Sequence, residues 1–475
     1  MQLDHLRKLA SSIGNVTAEY MLEIEEFRNE TEEVFFCWRH KENDEWNIIV
    51  ELTKDGQLIH FYIDEQGKTN ETIKLPEEKL EELALSFVTK HYPDADVVFT
   101  FEEWKKLKNG SYRLTYVQKA LELPLPHTGF YLTITPAGRI TDFRYDGQAR
   151  KIIEPKSIAS EALMKEKMMK QVTMNLEIIE FSKELYVDGD DSYKLVYEPE
   201  LVTYRYAADG SEIIHDDFDE EDDEHVEKTE RLVRPDISAD VDTLLGFDEN
   251  SFSKIREQDL GTEIGTVWRL NDADIKTDQD DLSLEAFFAR RNDGTLKMRH
   301  HLETGLLLGS FSFLERNGTL NLSFDECKKL AYQLLFQLYP NADKYFHYVV
   351  KNHNDDDESN PHYHFEFRLC INDFPVRFGA ARISVNRTTG TIDHYMGPDI
   401  KVNELNDINT TPTITEAEAI STYINYTRPK LEWQLEYKDN EPAYYELIYI
   451  EEFKTERGNG AYVDAHTGQV IVRKF

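Results

Sequence analysis

At 475 residues, 40% hydrophobic and 12% aromatic, the chain carries ample core material and exceeds the length over which a single core keeps growing, which excludes disorder and predicts two or more domains. Its 91 acidic residues against 54 Lys and Arg give a formal charge of -37. Such a field repels phosphate backbones and anionic headgroups, so nucleic acid and membrane are disfavoured as partners, while a basic protein or peptide, or a divalent cation, is favoured.

The opening Met1-Gln-Leu-Asp-His-Leu-Arg-Lys-Leu has no apolar leader, and no stretch approaches the roughly 18 apolar residues of a membrane span, so a cytoplasmic protein is expected. Residues 1–72 read as an α+β segment, a helix followed by alternating strands such as Trp46-Asn-Ile-Ile-Val-Glu-Leu. Cys37 lies in the strand-like run Val34-Phe-Phe-Cys-Trp. With Cys327 and Cys370 it makes an odd, widely spaced set that suggests buried apolar side chains rather than disulfides or a zinc ribbon.

Residues 73–154 form the first of two units built on one plan. Leu80, Leu83, Ala84, Phe87 and Val88 have helical spacing, and the helix must stop at Tyr92-Pro93 because proline cannot continue it. Period-two alternation follows at Tyr112-Arg-Leu-Thr-Tyr-Val, then a bend at Leu123-Pro-Leu-Pro. A hairpin from Phe130 to Phe143 turns on Gly138, where a positive φ is required. Residues 155–216 repeat a shorter version, with a helix after Ser160 and strands at Tyr193-Lys-Leu-Val-Tyr and from Val202.

The run His215-Asp-Asp-Phe-Asp-Glu-Glu-Asp-Asp-Glu repels itself and lacks apolar content, so residues 217–230 read as an acidic linker between two lobes. Residues 231–320 correspond to the N-terminal segment of the first lobe. Residues 321–405 repeat the helix-to-hairpin plan without gaps: Leu330, Ala331 and Tyr339-Pro340 match Leu83, Ala84 and Tyr92-Pro93, and Gly390 takes the place of Gly138. Residues 406–475 are the terminal short copy. Thr415 and Glu418 have capping-box spacing, and Gly468 turns the last hairpin, Gly460-Ala-Tyr-Val-Asp-Ala-His-Thr-Gly-Gln-Val-Ile-Val. The fold class is thus α+β, tandem repeats of a helix packed on a curved antiparallel β-sheet, in two homologous lobes.

The helix ending in Tyr-Pro-(Asp/Asn)-Ala-Asp and the closing Val463-Asp-Ala-His-Thr-Gly-Gln-Val resemble PepSY-type domains, and the order of long and short copies resembles the YcdB/YcdC repeat family of Firmicutes over most of the chain. The resemblance implies PepSY-like units. It also implies a non-catalytic inhibitory or binding role of the kind PepSY domains play toward secreted metallopeptidases and cell-wall hydrolases, and it supplies no catalytic residues.

The chemistry-bearing motifs are few. His353, His362 and His364 flank an acidic loop, and His362 and His364 alternate onto one strand face, a pattern able to ligate zinc or copper. The first copy has Arg113 where the second has His364. Acidic loops at Asp188-Gly-Asp-Asp and from Asn271 to Asp281 offer oxygen ligands but lack the twelve-residue calcium pattern. The tract Gly305-Leu-Leu-Leu-Gly-Ser lacks the lysine of a phosphate loop, and no Gly-x-Ser-x-Gly elbow or His-Glu-x-x-His helix is present. No cofactor is called for. The leading expectation is a non-enzymatic binding or regulatory protein that engages a protein or peptide through sheet faces or edges; the alternative is divalent-metal binding.

Overall fold

The computed structural model describes residues 2–64, 74–201, 205–213, 228–274, 280–350, 360–400, 402–438 and 441–474. The first lobe begins with α1 (Gln2–Ile13) and a meander of β1 (Tyr20–Arg28), β2 (Glu33–His40), β3 (Asn47–Thr53) and β4 (Leu58–Asp64). Next come α2 (Glu77–His91), α3 (Ala95–Val98), β5 (Thr100–Lys106), β6 (Tyr112–Val117), the short pair β7 (Lys119–Ala120) and β8 (Leu123–Pro124), then β9 (Gly129–Ile134) and β10 (Ile140–Gly147). All but the short pair form one sheet of order β1-β2-β3-β4-β10-β9-β6-β5, so strands from either side of residue 72 share one ladder. Leu80, Ala84 and Val88 of α2 are buried in one core with Phe36, Val50, Leu132 and Phe143, and the helix ends at the residue before Tyr92, as the Tyr-Pro stop predicts.

A short unit follows: β11 (Ile152–Ile153), α4 (Glu161–Met169), β12 (Val172–Phe181), β13 (Ser192–Leu201) and β14 (Arg205–Ala207). Most of the expected acidic linker, residues 217–227, lies outside the described residues. Its last two residues, Thr229 and Glu230, belong to β15 (Thr229–Arg231). The second lobe then runs α5 (Val241–Leu245), β16 (Phe252–Asp259), β17 (Glu263–Leu270), α6 (Leu284–Asn292), β18 (Thr295–His301), β19 (Leu307–Ser312), α7 (Phe324–Leu338), α8 (Ala342–Tyr345), β20 (Phe346–Val349), β21 (His362–Ile371), β22 (Phe374–Asn386) and β23 (Ile392–Met396). The ladders β16–β17, β17–β18, β18–β19, β19–β23, β23–β22, β22–β21 and β21–β20 reproduce the first sheet strand for strand. Two homologous α+β lobes are therefore present, and the N-terminal segments correspond as well as the helix-to-hairpin units. Gly138 and Gly390 take φ of +90° and +76° at equivalent hairpin turns.

The terminal short unit is α9 (Glu416–Tyr426), β24 (Thr427–Lys438), β25 (Glu441–Thr455), β26 (Gly458–Asp464) and β27 (Val470–Val472). Thr415 caps α9 in the full capping box that its spacing predicts. The two short units are not separate bodies; they exchange their long hairpins. β13 carries β26 of the other unit, pairing Tyr197 with Val463, while β25 carries β14, pairing Tyr449 with Tyr206. Hydrogen bonds repeat across this approximate two-fold. Tyr197 donates to the Ile414 carbonyl and Tyr449 to the Ala159 carbonyl, in both cases just before a helix N-cap. Ala465 N–H donates to Leu195 O as Ala208 N–H does to Leu447 O. The helices follow: Met164 and Met168 of α4 lie with Tyr449, and α9 lies against β12 and β13. Each helix and its last strands thus cover the other unit's hairpin, which ties the lobes together.

Candidate functional site

The exchanged hairpins meet the two large sheets at equivalent junctions, and the junctions differ. Counting back from Thr133 and Ser384, which pair with Arg113 and His364, the segment Leu123-Pro-Leu-Pro-His in the first lobe matches Phe374-Pro-Val-Arg-Phe in the second. The backbone confirms the match, since Leu121, Glu122 and His127 have positive φ, as do Asn372, Asp373 and Phe378. Each segment leads from a sheet to the outer edge of a hairpin, β12 in one case and β24 in the other.

In the second lobe this junction is closed. Val376 pairs in parallel with Ile178 of β12. Arg377 donates to Glu177 at 2.8 Å and to Glu198 at 2.5 Å. Burial alone would lower the Arg377 guanidinium, but its bonds to Glu198 and Glu177 outweigh this and raise it. Glu177 is held above the ordinary carboxylate range by burial and by the nearby Glu198 charge, against the pull of Arg377.

In the first lobe the equivalent junction keeps the apolar contact but lacks the cation. Leu125, at the place of Val376, is buried with Trp433, Tyr445 and Leu447. Pro126 stands where Arg377 stands in the other lobe, and it has neither an N–H for a ladder nor a guanidinium. Trp433 Nε1 donates to the Ala120 carbonyl at 2.8 Å and Tyr445 to the Pro126 carbonyl at 2.9 Å, so the strap is held by side chains. Among the described residues the one ladder formed by β24 is with β25, and no strand pairs with its outer edge. Along that edge, from Lys430 to Tyr437, lies a cavity of about 540 Å³ also lined by Tyr116, Phe130, Tyr131 and Asp146. Glu432 takes the place of Glu177: it pairs with Ile448 as Glu177 pairs with Val196. Its partner here is the half-exposed Lys430, at 3.0 Å.

A second hollow, about 390 Å³, lies on the face of the second sheet opposite α7, lined by Phe311, His364, Glu366, Arg382 and His394. It receives one of the three histidines predicted as metal ligands. His362 points its Nε2 at Asp393, 2.8 Å away, and Asp393 also accepts from Arg316 and Asn386. Burial would raise Asp393, but the bonds from His362 and Arg316 outweigh it and hold the carboxylate below its usual range. The rings of His362 and His364 stack at 6.4 Å between centroids. His353 lies outside the described residues. Among the described residues no group of three or more His, Cys, Asp or Glu side chains is gathered to hold a metal ion.

The carboxylates of the loop Asp188-Gly-Asp-Asp are already engaged: Asp191 binds Lys183, Asp190 binds Ser192, and Asp188 binds Arg457 of the terminal unit. All three cysteines are free and buried, and burial pushes each thiol up to about 11, as small apolar fillers require. No described helix is long and apolar enough to cross a membrane. Sequence reasoning missed Leu125, Pro126, Glu432 and Trp433; aligning the two bends within the chain would have exposed the exchange of Arg377 for Pro126.

The fold and its junctions define a class: a duplicated α+β chain in which two large sheets, the second extended by β15 beside β20, are joined by a hairpin-exchanged pair of smaller units. The family model described as "YcdB, YcdC repeated domain" matches twice, over residues 3–147 and 249–399. The uncharacterized protein YcdB of Bacillus subtilis (strain 168) is 36% identical over 98% of this chain and 97% of its own length. The uncharacterized protein YcdC of the same strain is 34% identical over 97% of each chain. The chain belongs to the YcdB/YcdC repeat family. A solved structure, the Bacillus megaterium YpeB C-terminal domain, matches at 15% identity, covering 44% of this chain and 94% of that one with a TM-score of 0.26.

Proposed function

We propose that this protein is a non-catalytic binding or regulatory module that engages a protein or peptide partner through a sheet edge or face. The observation that carries the reading is the outer edge of β24, a strand edge beside a roomy, aromatic-lined groove. An unpaired edge offers backbone donors and acceptors to an extended segment, and alternate side-chain pockets supply selectivity. The formal charge of -37 favours a basic partner and speeds its encounter.

The test places a photo-crosslinking residue at Gln434 in the groove, at Arg382 on the second sheet's open face, and at Lys8 of α1 as a control, in a Gram-positive lysate. A saturable, defined adduct from Gln434 or Arg382 and none from Lys8 supports the proposal. Equal labelling from all three positions, or none from any, defeats it.

A further inference from the structure

We infer that the groove beside β24 binds an extended peptide segment bearing an apolar residue followed directly by a basic one, with the cation received by Glu432. This rests on the binding reading above and specifies its ligand. The chain itself displays the recognition at the equivalent junction: the Phe374-Pro-Val-Arg stretch lies in parallel along β12, and the next residue's guanidinium after Val376 is held between Glu177 and Glu198.

At β24 the receiving side is retained while the internal occupant is altered. Glu432 keeps the place of Glu177, and Trp433 the place of Ile178, with its indole N–H already turned onto the strap. Pro126 instead of Arg377 withdraws both the backbone donor and the cation that would fill the site from within. The result is a groove with an acidic receptor, whose present partner Lys430 is 47% exposed, so that their pairing is of the weak, solvent-screened kind. The second receptor is not kept, because Ile450 replaces Glu198 at the equivalent position and Asp146, which lines the groove from the sheet side, is already paired with Arg144 at 3.0 Å; Glu432 is the receiving carboxylate. Tyr116, Phe130 and Tyr131 line the same cavity and offer ring surface to the apolar residue of the segment.

The experiment uses the intact protein and a fluorescein-labelled octapeptide, Asn-Asp-Phe-Pro-Val-Arg-Phe-Gly, copied from residues 372–379. Anisotropy titration should show saturable binding that weakens with salt, at least tenfold weaker for Glu432→Lys, and recovered in that variant by a peptide with Glu in place of its Arg. Pro126→Arg, which returns the internal cation, should abolish binding while the thermal transition is kept or raised. A photoreactive form of the peptide should label residues 430–437. Unchanged affinity of Glu432→Lys overturns the inference, as does no saturable binding to the parent protein. Labelling confined to the Phe311–His394 hollow overturns the groove but leaves the broader binding reading standing. Failure of that broader reading would show separately, as absence of any defined adduct in the lysate experiment.

Discussion

Replacing Arg377 by Ala removes the cation that fastens the second sheet to β12 and leaves Glu177 beside Glu198. The Glu177 side chain is 11% exposed, so its charge has little water to turn to; Arg377 and Glu198, at 29% and 38%, are partly solvated. Breaking a fully buried pair costs about 3–5 kcal/mol, and discounting for the exposed partners leaves about 2 kcal/mol here. The cost has a definite pH dependence. In the folded protein Glu177 is held above the ordinary carboxylate range, so the folded state binds that proton more tightly than the unfolded chain does. Its charge therefore costs stability in full above the folded value, and the cost shrinks as pH falls below that value and is gone below the unfolded one. Arg377 offsets the cost, so the Arg377→Ala penalty should be full at neutral pH and shrink on acidification through the carboxylate range. Urea titrations of parent and variant at a series of pH values measure it, and Glu177→Gln in the Arg377→Ala background should recover much of the loss. A penalty that is independent of pH, or one below about 0.5 kcal/mol at neutrality, would show that Arg377 does not offset the Glu177 charge.

Burial raises Glu451 to about 7, and its Oε2 has no hydrogen-bond partner among the described residues. Folding then loses stability as pH rises from the unfolded carboxylate value through about 7, so Glu451→Gln should exceed the parent by up to roughly 3 kcal/mol at pH 8 and match it at pH 4, as read by paired melts. The hairpin exchange predicts that fragments 1–216 and 228–475, produced alone, lack native cooperativity, whereas co-expression yields a one-to-one complex on size exclusion with the parent's circular dichroism. Two well-folded monomeric fragments would count against it. At Gly129, with φ +88°, an added Cβ would lie 1.9 Å from the Tyr116 carbonyl oxygen, so Gly129→Ala should cost more than about 2 kcal/mol in chemical denaturation. His362→Ala should cost about 1–2 kcal/mol, because Asp393 loses one charge-assisted partner but keeps Arg316 and Asn386.

The locally encoded features were legible. Tyr-Pro ended α2 and α7 because proline stops a helix wherever it falls, Thr415 with Glu418 formed the capping box, and the turn glycines Gly138, Gly390 and Gly468 took positive φ. The repeat itself was visible because both copies must bury the same stripe of residues on the same sheet.

The exchange of hairpins was not legible, because Tyr193–Tyr197 and Tyr445–Tyr449 alternate identically whichever helix covers them. Local pattern sets which face is apolar, and only the packed chain decides whose helix and last strands lie on it. The predicted histidine pair shows the same division. Alternation placed His362 and His364 on one face, but the pairing of β23 beside β22 brought Asp393 to within 2.8 Å of His362 Nε2. The groove depends on a still longer range. A proline at 126 and a glutamate at 432, more than 300 residues apart in sequence, become one site because the terminal unit gives its hairpin to the first. Sequence determined the units by short-range sterics and periodic burial; tertiary structure alone chose their partners, since equivalent surfaces can pair in more than one way and only their combined packing selects among them.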